Sequence, residues 1–211
     1  MASNTAAEFL NAVEARRSYY NLTNKPTLSD KQLQELVENA IKFAPSSFNS
    51  QTSRAVLVLG AKHKELWQAV WNSHKVNLSS PEEEAMYRGK FDGFEGAYGT
   101  VCFFEDQDAI DAFVQKVPMV KATMPAWSAN TSGMVQFIVW AGLAADGMGA
   151  NLQHYGQYTP QNHETINELL GVPKAWIPTA QMPFGVPSGE PGNPARPKTF
   201  LPLEDRVKVV Q

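Results

Sequence analysis

Arg16-Arg17-Ser18 sets two guanidiniums and a hydroxyl side by side. Such a trio can neutralise and orient a dianionic phosphate, arginine acting through its planar donor fork. Read alone, the same residues would serve equally to complement the negative end of a helix dipole. Pro45-Ser46-Ser47-Phe48-Asn49-Ser50-Gln51 forms a second cluster of hydroxyls and amides with no basic residue. It offers several donors and acceptors to a flat heteroaromatic ligand, and in isolation it is also ordinary turn composition. Other chemistries find little support. Histidines 63, 74, 154 and 163 lack metal-ligand spacing, and Cys102 lies in an apolar run, so neither a metal nor a cysteine nucleophile is expected. Gly147-Met148-Gly149 lacks the third glycine of a dinucleotide fingerprint, and no Walker A sequence or nucleophile elbow occurs.

The elements that must position these clusters are mostly helical. The pattern predicts a first helix over about Thr5 to Arg17, with Phe9, Leu10 and Val13 on one face. Ser29 and Gln32 form a capping box ahead of Leu33, Leu36, Val37, Ala40 and Ile41, and Pro45 stops that helix. Ala55 to Leu59 reads as a strand buried on both faces, followed by a helix over Lys62 to Trp71. Ser80-Pro81-Glu82-Glu83 starts another helix, and Asp106 can cap one carrying Ile110 and Phe113. Ser128 to Gly147 predicts a long helix that is apolar nearly all round, so core or a partner subunit must cover every side of it. A short helix at Asn162 to Leu170 and strands at Thr100 to Phe104, Ile177 to Phe184 and Arg206 to Val210 complete the set. Six or seven helices against four strands, without strict alternation, point to an α+β layer fold and away from a doubly wound parallel sheet.

Length and composition bound the reading further. The 211 residues suit one domain, residues 1–211, ending in a proline-rich extended arm from about residue 185 to 211. With 43% hydrophobic and 18% charged residues the chain can bury a core. A net charge of −3 gives no broad attraction to nucleic acid. The most apolar stretch, Met134 to Ala150, is interrupted by Gln136 and Asp146, so no membrane association is expected. A single cysteine and an N-terminus without signal-peptide character fit a cytoplasmic protein, or a nuclear one in a eukaryote.

Taken in order, the clusters resemble the FMN-dependent nitroreductase family. The carriers are Arg16-Arg17-Ser18, Pro45-Ser46-Ser47-x-Asn49-x-Gln51, the long apolar helix ending in Asp146-Gly147-Met148-Gly149-Ala150, and Pro202-Leu203-Glu204-Asp205. The segments Ala97 to Asp106, Trp127-Ser128, Gly149 to Tyr155 and Ala180 to Gly185 resemble a fungal and bacterial branch of it, the yeast fatty-acid-repression-mutant type.

The resemblance implies an α+β nitroreductase-like fold with a mainly antiparallel sheet in an intertwined homodimer. It implies two FMN sites at the interface, with NADH or NADPH as donor and a nitroaromatic or quinone as acceptor in ping-pong order. It assigns Arg16, Arg17 and Ser18 to the phosphate and ribityl chain. Pro45, Ser46, Ser47, Asn49 and Gln51 fall on the segment lent by the partner subunit. Gln153, His154 and Tyr155 lie at the ring edge, and Lys198, with Arg196 as alternative, at the phosphate. Trp71, Tyr87 and Trp127 are candidates to line the substrate pocket. Tyr20 stands where the family often carries a cation, His154 replaces an acidic residue, and the C-terminal basic pair is reduced to Lys198. The uncharged Tyr20 keeps open a flavin-binding regulatory protein with little turnover. An α+β interaction protein without a ligand is the third reading.

Overall fold

A computed structural model describes residues 5–211. Its helices are α1 (Thr5–Ala15), α2 (Asp30–Phe43), α3 (Gly60–His74), α4 (Pro81–Glu95), α5 (Gln107–Lys116), α6 (Met124–Ala145) and α7 (Pro160–Leu170). The strands are β1 (Ser53–Leu59), β2 (Gly99–Asp106), β3 (Gly149–Ala150) and β4 (Trp176–Gly185). They form one antiparallel sheet in the order β1-β2-β4-β3. The α+β class therefore holds.

Strand β2 is the centre of the molecule. Its side chains alternate between two cores, as the strand period requires. Val101 and Phe103 face α2 and α6 with Leu33, Val37, Val135, Val139 and Leu143. Cys102 and Phe104 face the other way, packing with Leu66, Trp67, Val70, Phe91, Phe94 and Ile166 of α3, α4 and α7. Burial raises the Cys102 thiol pKa, so it stays protonated and serves as packing. The β2–β4 register shifts between Phe103 and Phe104, where Pro178 enters the ladder without an amide proton.

Several local expectations are realised. Ser29 and Gln32 make the reciprocal capping box of α2. Ser80 and Asp106 cap α4 and α5. Others need correction. Strand β1 packs on both faces, Ala55, Leu57 and Leu59 against one core and Val56 and Val58 against the other, but at the sheet edge only Ser53 and Val58 are fully buried along it. Helix α6 starts earlier than predicted, with Pro125 in its first turn. Its inner face is covered, while Met134 remains 37% exposed and forms a shallow apolar cleft with Phe9, Pro45, Phe137, Ile138 and Ala141. The strand predicted at Arg206 to Val210 does not form. Those residues are exposed, with the Arg206 amide closing a turn onto the Leu203 carbonyl, and the fourth strand is Gly149–Ala150 instead.

One polar group is locked into the interior. Glu105 is 6% exposed and accepts from Thr52 Oγ1 at 2.6 Å and from the hydroxyls of Ser53 and Ser128. This ties the start of β1 to β2 and α6.

His63 is 1% exposed, with Nδ1 3.0 Å from Thr100 Oγ1, which also accepts from Trp67 Nε1 at 2.8 Å. Desolvation, opposed by the main chain of Glu95 and Phe94, holds its pKa at about 4 against an ordinary 6.5. The unfolded chain therefore takes up this proton first as pH falls. Stability is full above pH 6.5 and declines toward pH 4, by up to about 3 kcal/mol from this group. Urea unfolding at pH 7 and pH 5 will show a smaller acid-induced loss in His63→Gln than in the parent.

Candidate functional site

Residues 18–25 leave α1 and run as a ribbon between β3 and the C-terminal arm. Ser18 bridges Ala150 in the parallel sense, and the Tyr19 amide donates to the Ala150 carbonyl at 2.9 Å. On the other side the Gly192 amide donates to the Ser18 carbonyl at 2.7 Å, Ser188 to Asn21 at 3.0 Å, and Thr23 to Val186 at 2.9 Å. Asn151 Nδ2 adds a bond to the Tyr19 carbonyl at 2.7 Å, and its Oδ1 accepts from Gln153 Nε2 at 2.7 Å. This pairing explains why α1 ends at Ala15 and not at Arg17. The residues after it are drawn into extended pairing.

Between ribbon, α4 and arm opens a cleft of about 940 Å³. Arg16, Arg17, Ser18 and Tyr20 line it from the ribbon side. Gln153 and Tyr155 line it from the stretch after β3, and Lys198 and Arg196 from the arm. The Arg16 guanidinium lies 4.3 Å from the Trp140 ring of α6, which fixes its direction. Burial, and then the like charge of Arg17, lower the Arg16 pKa. The pair repels itself, and a bound anion relieves that repulsion.

The cleft also has an aromatic lining. Tyr87, Tyr155 and Tyr158 line it, backed by His74, whose ring centroid lies 5.0 to 5.6 Å from theirs. Burial lowers the His74 pKa against a smaller opposing effect of Glu83, and burial raises that of the Tyr155 phenol, so both groups favour the uncharged form.

The main chain there also has a pattern. Gln153 and Gln181 exchange both backbone bonds at 2.8 Å, so the Gln153 amide is committed to the sheet. The amides of His154 and Tyr155 have no acceptor among the described residues. A cleft lined by guanidiniums, tyrosine rings and Tyr155, whose amide is uncommitted, can hold a flat ring with an anionic tail.

Several predicted residues lie elsewhere. Trp71 is not a pocket residue: it is 7% exposed, in the core against Phe91, with Arg88 5.0 Å over its ring. Trp127 is likewise displaced from the cleft, on α6 with its ring 6.0 Å from Phe48. The His154 side chain is exposed and outside the lining. Pro45, Ser46, Ser47, Asn49 and Gln51 do not line this cleft either. They form a tight loop in which Ser46 Oγ accepts from the Gln51 amide at 3.1 Å. Phe48, Asn49 and Gln51 there take left-handed φ of 56°, 54° and 51°. Pro45 sits beside the uncovered face of α6.

Sequence reasoning missed Lys90, Tyr158 and Asn21 in the lining. Helical spacing from Tyr87 would have found Lys90, since residues three apart share a face.

The nitroreductase family model matches residues 13–186. The chain is 36% identical to nitroreductase FRM2 of Saccharomyces cerevisiae, covering 92% of this chain and 93% of that one. Nitroreductase CinD of Lactococcus lactis in complex with chloramphenicol superimposes with a TM-score of 0.83 at 32% identity, covering 96% of this chain and all of that one. CinD is also known in complex with 4-nitrophenol, with a TM-score of 0.80 at the same identity and coverage.

Gly149 lets the ribbon close on the sheet. A Cβ there would lie 2.8 Å from Pro187 Cγ and 2.9 Å from Tyr19 Cβ. Gly149→Ala must push the ribbon outward, at a cost of about 1–3 kcal/mol. Thermal unfolding of this variant will show a midpoint several degrees lower, about 2–4 °C per kcal/mol.

Proposed function

The chain belongs to the nitroreductase family, with the oxidoreductase character of that family, and from that premise we propose an FMN-dependent NAD(P)H oxidoreductase that reduces nitroaromatic compounds or quinones. The cleft carries this reading. Its size falls within the roughly 300–1,000 Å³ of small-molecule sites, and its lining combines cationic side chains with tyrosine rings. FMN, when bound, supplies the two-electron chemistry. That chemistry would couple NADH or NADPH as donor to a nitroaromatic or quinone acceptor, and the one cleft would have to admit both in turn.

The chain's own residues bind and orient. Arg16 and Arg17 would neutralise the phosphate, with Lys198 or Arg196 closing over it from the arm. The Ser18 hydroxyl would meet the sugar-alcohol chain. The His154 and Tyr155 amides are the donors suited to a ring-edge nitrogen or oxygen, while the Gln153 amide is committed to the sheet. Tyr87, Tyr155 and Tyr158 give the second substrate flat faces to stack on. The 4-nitrophenol bound by CinD is of the kind and size of acceptor proposed.

The working form is a homodimer of single-domain chains. The uncovered face of α6 and the loop from Pro45 to Gln51 supply the surface that a second copy would cover. Phe200, Leu201, Leu203, Val207 and Val210 of the arm are exposed as well, and would add apolar area to a contact with a second copy.

The test begins with colour. Purified protein should be yellow or become so with added FMN. Without oxygen, NADH or NADPH should bleach it within seconds, and a quinone or 4-nitroquinoline N-oxide should restore the colour. Bound FMN that neither nicotinamide bleaches leaves the regulatory reading. Arg16→Ala should weaken FMN binding by about 1.5–3 kcal/mol, the worth of a charge-assisted contact, as read by flavin fluorescence titration. Unchanged affinity removes Arg16 from the phosphate site.

A further inference from the structure

The cleft holds more positive charge than one cofactor phosphate requires. Arg16, Arg17, Lys90, Arg196 and Lys198 line it, and no carboxylate does. The chain as a whole carries 18 basic and 21 acidic residues, so this is local sorting. A phosphate monoester brings about −1.5 to −2. The arginine pair and the arm meet that charge on one side. A Cβ on Gly192 of the arm would lie 3.6 Å from Arg17 Nη2, so the two adjoin.

Lys90 comes from a different element. A Cβ on Gly93 would lie 3.5 Å from the Tyr20 carbonyl, so this face of α4 rests on the Tyr20 segment. Tyr87, Lys90 and Gly93 are successive members of that face, three residues apart. The Lys90 ammonium lies 4.5 Å from the Tyr87 ring centroid. Two acids further along the helix, Asp92 and Glu95, are taken by Arg88 at 2.5 and 3.3 Å. Among the described residues no carboxylate pairs with Lys90. An ammonium held over a tyrosine ring, with no carboxylate partner among the described residues, matches an aromatic ring that carries a carboxylate. The charge meets a mobile point donor that needs no fork geometry, and the ring packs against the edge of the phenol.

We propose that Lys90, together with the Tyr87 ring, is the specificity-determining pair for flat aromatic acceptors that bear a carboxylate. This rests on the flavin reading above and names the substrate class of the same site.

The test compares 4-nitrobenzoate with its neutral analogue 4-nitrobenzamide on the oxidised, FMN-loaded protein. Dissociation constants are read from the perturbed flavin absorbance. The benzoate should bind about five- to tenfold tighter, the worth of one charge-assisted contact in a partly open site. Lys90→Met should bring the ratio to near one, Lys90→Arg should restore most of it, and Lys90→Glu should reverse it. Added salt should shrink the parent's ratio and leave that of Lys90→Met unmoved. A parent ratio of one, or a preference that survives Lys90→Met, overturns the proposal. FMN titration of each apoprotein separates the two levels of the argument. Bound flavin with the preference intact in Lys90→Met removes Lys90 alone. A parent protein that binds no FMN removes the flavin reading and this proposal together.

Discussion

The cleft depends on how the main chain of Ser18 is held. Ala150 pairs with this segment on one side and Gly192 on the other. Three distant parts of the chain thereby meet at one residue: the end of the first helix, the short strand after the longest helix, and the C-terminal arm. Without that double pairing Arg16 and Arg17 would continue α1, and Lys198 would have nothing to face. The bonds are main-chain bonds, so side-chain identity matters mainly where bulk would keep the strands apart. Gly149 and Gly185 mark those places, the latter with Thr23 O only 2.2 Å from where a Cβ would stand.

The same arrangement sorts charge. Arg16 rests on Trp140, Lys90 flanks Tyr87, and Lys198 lies 4.9 Å from the Phe200 ring. In each case an aromatic face takes the place a carboxylate could have filled. Such contacts steady a cation without cancelling its charge, so the field of the cleft stays positive in a chain whose net charge is negative.

Much of this was legible in the sequence because it is local. The capping box at Ser29, Pro81 in the first turn of α4 and the apolar run from Thr100 to Phe104 are short-range signals, and each formed as read. Arg16, Arg17 and Ser18, and Gln153 and Tyr155, singled out from the sequence, come together in the lining of one cleft. What failed was non-local. Hydrophobic alternation at Arg206 to Val210 reads as a strand, but a strand needs an edge to join, and nothing in those residues states whether one is within reach. Trp71 and Trp127 carry the composition of a pocket wall, yet composition does not say which side of a helix meets the core. Lys90 shares a helix face with Tyr87, which local spacing does give; that this face meets the cleft depends on Gly93 lying against the Tyr20 segment, a contact between residues more than seventy apart.

The buried carboxylate of Glu105 has a consequence for how the sheet finds its alignment. It is satisfied by hydroxyls from Thr52, Ser53 and Ser128. Ser53 stands opposite Glu105 in the ladder between β1 and β2. A slip of one residue would turn every β1 side chain to the opposite face. It would also strand an anion inside the protein with its donors withdrawn, an outcome far costlier than lost apolar packing. Glu105 thus ties strand alignment to charge: only the native register buries the carboxylate together with its hydroxyl donors.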